Sequence, residues 1–482
     1  EFTGSADISG GSESLAWHLH GYHRSADDYR VPGSGKFLPN SFTDGLNAGG
    51  GLSWVGARGY LGVGVEGLEN NYGIPGGEGL SILQKQTRLD ISGELNQPMA
   101  AFKRVKFRFG HNDYAHDEIE SDGNIGTRFK NKAWETRIEA QHQAIAGWAG
   151  AVGVQLQRRD ISAIGEESII PRTVSNERGI FLVEEKKFGA LNIDWGARIE
   201  SADRRPLDSI NPKRDYTLYT AAAGLIWKFA PDYHASINLT QGQRAPSIEE
   251  LYSNGAHPAT ATFDIGNSAL KKETARNIDL TLRNSGKQLN WKLNLFTNRI
   301  ADYVYAQNAD TNADGIADRV DDEGTLDAIG AFLLQQTAQA DARFVGAEAE
   351  MAYRPDEQGL GLRLFADAVR GRSADGGNLP RISPARIGLE LDYLRAKWNG
   401  NLTLIHGLKQ NRVAELETAT DGYNRLDAEI GYRFGAEKKG GISVFFKGSN
   451  LLNEDIRLHT SYLKLVVPQQ GRHFQLGFRG EF

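Results

Sequence analysis

The chain contains no cysteine. That excludes disulfides and thiolate metal sites, so any transition-metal site must be built from His and carboxylates. Long apolar runs are missing too: no window approaches the 18 or so consecutive apolar residues of a membrane helix. A helical span is thereby excluded, but a β-barrel is not, because only every second residue of a barrel strand meets lipid. No G-x-S-x-G, Walker A or H-E-x-x-H pattern occurs, and no nucleophile stands beside a base, so no enzyme signature is present. Neither sign of charge dominates: 55 basic and 61 acidic residues leave a net charge of -6, which gives no footing for nucleic acid. The chain begins at Glu1 without Met or a signal-like segment. An exported barrel needs a signal peptide, so the expectation is a mature fragment.

What is present is glycine (56), aromatics (21 Phe, 16 Tyr, 8 Trp) and a recurrent period of two. Trp291, Leu293 and Leu295 alternate with Lys292 and Asn294; Val105, Phe107 and Phe109 alternate with Lys106 and Arg108. Leu15, Trp17 and Leu19 alternate with Ala16, His18 and His20, and the chain closes on Phe474, Leu476, Phe478 and a final Phe482. A polar second face fits a lipid-embedded barrel or a half-buried soluble sheet. Turn chemistry separates the two. Alternation predicts strands at 3–9, 14–24, 47–57, 59–69, 81–95, 102–115, 128–142, 148–158, 178–187, 190–201, 214–229, 232–243, 271–285, 286–306, 340–354, 359–373, 384–394, 396–410, 423–435, 440–450 and 471–482. Tight turns such as Phe229-Ala230-Pro231-Asp232 alternate with long links such as 244–270 and 307–339. Short turns at one end and long loops at the other are the layout of an outer-membrane barrel. The predicted class is therefore an all-β, transmembrane antiparallel β-barrel occupying residues 1–482. The count is odd, whereas single-chain bacterial barrels are even; the missing strand is expected before Glu1.

Three segments carry a resemblance: Gln243-Arg244-Ala245-Pro246-Ser247-Ile248-Glu249-Glu250-Leu251-Tyr252, Phe344-Val345-Gly346-Ala347-Glu348-Ala349-Glu350, and Gly448-Ser449-Asn450-Leu451-Leu452-Asn453. In this order and spacing the chain resembles TonB-dependent outer-membrane receptors, barrels of about 22 strands with a plugged lumen. Within that class it is similar to the ZnuD-like zinc receptors, through Asp27 to Gly33, Tyr72-Gly73-Ile74-Pro75-Gly76, Asn112 to Glu118, Glu250 to Asn267, Leu379 to Arg386 and His459 to Lys464. It departs from them where Gly76-Gly77-Glu78-Gly79-Leu80 follows without the His-rich loop often found there. The resemblance implies a bacterial outer-membrane location, metal uptake with zinc as cargo, a surround of outer-membrane lipid, a monomer, and coupling to the TonB complex through a plug. No plug is recognisable in these residues, so the plug and first strand are expected to be missing.

The metal-capture candidates follow from residue type. Parity from Val105 puts His116 and Glu118 on one face, toward the lumen. His257 lies in a loop near Glu249, Glu250 and Asp264, and the resembling family places a metal-binding His in the matching loop. Asp113, Asp117 and the His18/His20 pair complete the zinc candidates. Separately, Asp310, Asn312, Asp314, Asp318 and Asp321 place oxygens at positions 1, 3, 5, 9 and 12 of a loop, with Gly315 sixth and the Ile316 carbonyl seventh. That is the spacing of a calcium loop, with a short Asp where Glu usually closes it and no flanking helices. It reads as a loop-ordering calcium site rather than a cargo site. The leading function is zinc uptake; the alternatives are a metallophore, haem or other chelate as cargo, or a passive plug-less pore.

Overall fold

The computed structural model describes every residue except 34, 77–78, 166–167 and 436–439, so Gly77 and Glu78 of the stretch above lie outside the described residues. One sheet of 24 strands dominates. In chain order they are β1 (Phe2–Gly11), β2 (Leu15–Ala26), β3 (Thr43–Gly56), β4 (Gly59–Gly73), β5 (Ser81–Met99), β6 (Phe102–Ile119), β7 (Ile125–His142), β8 (Ala149–Gly165), β9 (Thr173–Phe188), β10 (Leu191–Pro206), β11 (Arg214–Ala230) and β12 (Tyr233–Arg244). They continue as β13 (Asn254–His257), β14 (Thr262–Ile265), β15 (Glu273–Ser285), β16 (Leu289–Asn308), β17 (Arg319–Val320), β18 (Phe332–Tyr353), β19 (Gly359–Ser373), β20 (Arg386–Arg395), β21 (Trp398–Gly407), β22 (Tyr423–Phe434), β23 (Gly441–Ser449) and β24 (His473–Glu481).

Three of the 24, β13, β14 and β17, are short strands inside loops; the other 21 are the wall, each antiparallel to its neighbours. This is the strand set that alternation predicts, with soft ends. The largest difference is β18, which begins at Phe332 rather than 340. Its first residues pair with β14 and β17 above the lipid, so they have no polar–apolar alternation to read. Two-residue turns such as 57–58 and 231–232 occupy one end, and loops such as 27–42, 245–272, 309–331 and 450–472 the other.

The outward face is apolar. Leu61, Val63 and Val65 on β4, Ile278, Leu280 and Leu282 on β15, and Leu293 and Leu295 on β16 are all exposed. In a soluble protein so continuous an apolar surface would aggregate; here it meets lipid. Aromatic rings gather near the short turns, where Trp227, Phe229, Tyr233 and Trp291 form a chain of contacts at 5.4, 5.8 and 6.3 Å. Trp398, Tyr432 and Phe434 repeat the arrangement at 4.7 Å each. Rings with an apolar body and a polar edge suit the membrane interface.

An odd number of crossings makes β1 and β24 run the same way, so no antiparallel ladder can join them. Among the described residues each pairs only with its chain neighbour. The seam is crossed by side chains and loops instead: Gln475 Nε2 donates to Glu1 Oε2 at 3.4 Å, the Tyr29 hydroxyl to the Pro468 carbonyl at 2.8 Å, and Gly471 N–H to the Arg30 carbonyl at 2.8 Å.

The long loops are not loose. Helix α1 (Ile248–Tyr252) is too short to form alone. Its start is closed by a capping box, in which Ser247 Oγ accepts from Glu250 N–H and Glu250 accepts from Ser247 N–H. Its apolar side, Ile248, Leu251 and Tyr252, then packs with Ile161, Ile169, Ile170, Leu270 and Val304, and Phe129 closes against the group. Each fully buried aliphatic side chain contributes about 1.5–3 kcal/mol. A second cluster of Ala256, Phe263, Ala309, Val320 and Leu334 joins loop 245–272 to loop 309–331. The outer end of the barrel thus carries a cap with its own apolar core.

The two faces of one strand should respond oppositely to charge. Leu280→Arg on the lipid side is expected to cost about 2–4 kcal/mol, and Thr281→Arg on the lumen side well under 1 kcal/mol. Urea unfolding in lipid vesicles measures both, and equal losses would contradict the assignment of faces.

Candidate functional site at the barrel mouth

The cap's core positions the site. Phe129 is held against the α1 cluster, and the β6–β7 register sets His116 directly across from it. The His116 ring stacks on Phe129 at 4.5 Å with 17° between planes, and Tyr114 closes its edge at 5.6 Å. The Tyr114 hydroxyl lies 2.9 Å from His116 Nδ1. Opposite stands His257, the last residue of β13, with Nδ1 3.3 Å from Asp264 Oδ2 on β14. His257 lies within electrostatic range of His116. If each Nδ1–H is given to its neighbouring oxygen, both Nε2 lone pairs remain for a ligand. That outer-shell arrangement is the usual one around metal-binding imidazoles.

The other sequence candidates are distributed as follows. Glu118 shares the face of His116, as parity predicts, is buried, and lies across from Thr127. Its charge reaches Tyr72. Asp113 and Asp117 fall on the opposite, outward face, where Lys132 Nζ (3.0 Å) and Arg128 Nε (2.5 Å) pair with them. His18 and His20 stack at 6.0 Å on the lumen side of β2, toward the short-turn end. They lie flat on a glycine wall: a Cβ on Gly51 would stand 2.5 Å from His18 Cε1, and one on Gly49 2.7 Å from His20 Cε1. Among the described residues no three His, Asp or Glu side chains are grouped to hold a metal ion.

In the 310–321 loop, Asp310 accepts from the N–H groups of Asp314 and Gly315 at 3.0 and 2.9 Å, and Asp314 from Ile316 N–H at 2.8 Å. Asn312 accepts from Asp314 N–H at 3.0 Å. Gly315 has φ +81°, the left-handed turn expected at the sixth position. Asp318 is buried and accepts from Thr311 N–H and its hydroxyl. Asp321 caps the following turn, its Oδ1 accepting from Glu323 N–H at 3.1 Å and from Thr325 N–H at 2.7 Å.

One buried polar cluster has no signal as a unit in the sequence. Glu417, His459 and Lys464 are buried together between loops 408–422 and 450–472. Glu417 Oε1 accepts from Lys464 Nζ at 3.1 Å and Arg381 N–H at 2.9 Å, and Oε2 from Ala414 N–H at 3.0 Å. His459 Nε2 lies 3.2 Å from Glu417 Oε1, while its Nδ1 meets Thr420 Oγ1 at 3.0 Å. Arg381, from loop 374–385, also covers the Tyr462 ring at 4.3 Å. Burial alone would raise the Glu417 carboxyl, but His459, the two N–H donors and Lys464 outweigh it and hold it down at about 2. Burial also lowers Lys464, against the pull of Glu417. Three loops are thereby tied at one carboxylate.

Against known proteins, residues 16–451 match the family model described as TonB dependent receptor-like, beta-barrel. The chain is similar to the haem/hemopexin utilization protein C of Haemophilus influenzae (strain 86-028NP), with 26% identity over 218 residues, 41% of this chain and 29% of that protein. The aligned part thus spans under a third of that relative's length. Among solved structures it is similar to the copper transporter OprC, with TM-score 0.84 and 15% identity over 99% of this chain and 79% of that one. It is also similar to the FrpB iron transporter of Neisseria meningitidis (F3-3 variant), with TM-score 0.78 and 11% identity over 99% and 78%. At such identities the structures show the fold alone.

The carboxylate tie makes a pH prediction. Because the folded loops hold Glu417 down, its contribution, roughly 3 kcal/mol, is complete above the ordinary Glu range near 4.3. It is lost as pH falls toward about 2. Glu417→Gln should reproduce the loss at neutral pH, raising hydrogen exchange in 374–385, 408–422 and 450–472 on the order of 100-fold. Unchanged exchange in those loops would show that the tie is not holding them.

Proposed function

Because the chain belongs to the TonB-dependent receptor-like β-barrel family, a family of the bacterial outer membrane, we propose that it is a receptor barrel for the uptake of a metal-containing cargo. Capture begins at the His116–His257 pair. The observation that carries this reading is the pairing itself: two imidazoles from a wall strand and a loop hairpin, each with Nδ1 beside an oxygen partner. Neutral imidazole nitrogen is a good donor to zinc and to neighbouring divalent metals. In this proposal zinc is the cargo, the two His are its first protein ligands, and Glu118, two residues nearer the outer end on the same face, is a flanking carboxylate. Passage through the barrel is coupled to TonB, as the family membership implies.

A second reading keeps the site and exchanges the ion for haem or another chelate. It is favoured by the aromatic surround of His116, with Phe129 stacked at 4.5 Å and Tyr114 at 5.6 Å, which suits a flat conjugated ligand. The name of the Haemophilus relative points the same way.

Titration of the purified barrel with zinc, by calorimetry, and with haem, by Soret absorbance, separates the two. His257→Ala and His116→Ala are each expected to weaken zinc binding by about tenfold or more. Absence of zinc binding by the unsubstituted protein sinks the zinc reading. Haem binding that both variants lose would establish the second.

A further inference from the structure

The outward face of β15 to β19 carries a row of like charge. Arg276 pairs across the ladder with Arg299, Arg299 with Arg343, and Arg343 with Arg372. All four side chains are exposed. Their strand parity is that of Ile278, Leu280, Leu295 and Val345, so the row faces outward with the lipid-contacting residues. Like charges directly opposite on a sheet destabilise it. Elsewhere this barrel pairs such arginines with acids, as in Arg128–Asp117, Arg363–Glu350 and Arg425–Asp427. In the row, Arg276 donates to Gln241 Oε1 at 3.1 Å, and among the described residues none of the four has an ion-pair partner. The nearest acid along β18, Asp341, accepts instead from Asp302 N–H at 3.0 Å.

The row's height is informative. From it to the short turns runs the apolar belt, Thr297 to Leu289 on β16 and Val345 to Tyr353 on β18. That is about the 9–11 residues a tilted strand needs to cross the hydrocarbon. The arginines therefore lie where acyl chains give way to headgroups, on the long-loop side. Directly beneath them is an apolar groove of about 490 Å³, walled by Leu280, Leu295, Val345 and Ala368, with Arg370 and Arg412 at its rim.

We propose that this face binds a lipid whose headgroup carries more than one phosphate, with the phosphates on the arginine row and one acyl chain in the groove. Guanidinium groups meet phosphate with two parallel hydrogen bonds, and a multiply charged anion relieves the repulsion among four of them. The groove supplies what a free anion could not use.

Native mass spectrometry of the intact chain in detergent tests this with bisphosphorylated lipid A, its phosphate-free analogue and phosphatidylcholine. The bisphosphorylated lipid should be retained over both others. The double variant R299A/R343A should reduce that retention by about tenfold or more, and R299K/R343K should recover part of it. Equal retention of the phosphate-free lipid, or undiminished retention by R299A/R343A, overturns the proposal. Full displacement by equimolar inorganic pyrophosphate would mark a free-anion site and overturn it too. Heat-modified gel mobility checks that each variant folds, and R343A alone replaces the double variant if that one does not.

Discussion

Every backbone N–H and C=O inside a bilayer must find a partner within the protein, since lipid offers none. This requirement organises the molecule. It turns 21 separate alternating segments into one continuous sheet and forces each strand to show apolar residues outward and polar ones inward. On the lumen wall His18 and His20 can lie flat only because Gly51 and Gly49 carry no Cβ.

Above the lipid the requirement is relaxed and ordinary folding physics returns. The loops build an apolar core around α1, and that core reaches the barrel wall through Phe129. The candidate site follows from this contact. Phe129 orients His116 by stacking, while the β13–β14 hairpin carries His257 to it and Asp264 faces its ring. A second, polar lock at Glu417 holds the neighbouring loops, and its buried charges are stable only because each has a partner. The mouth is thus fixed from two sides, one by packing and one by charge.

Charge is distributed by face. Acids and bases on the lumen side cross-link neighbouring strands, as Arg363 does with Glu350 and Glu390. On the outward side Asp113 and Asp117 are paired with Lys132 and Arg128, whereas the arginine row on β15 to β19 sets like charges opposite one another. A surface that leaves four guanidinium groups opposite one another at headgroup height is electrostatically incomplete without an anion from its surroundings.

The barrel was legible in the sequence because strand alternation is local. A period of two shows in five or six residues, so the wall strands and the placement of His116 and Glu118 on one face follow from parity alone. What alternation cannot reach is any relation between distant segments. His116 and His257 meet only through loop packing. Asp113 and Asp117 flank His116 in sequence, yet the pleat turns them to Lys132 and Arg128 on the other face. The spacing of the 310–321 loop is local too, but where Asp321 points was decided by the turn that follows it. Arg276, Arg299, Arg343 and Arg372 are unremarkable one at a time. Only the register between four strands sets them side by side, because register arises from hydrogen bonding across the whole sheet and leaves no mark on a single strand.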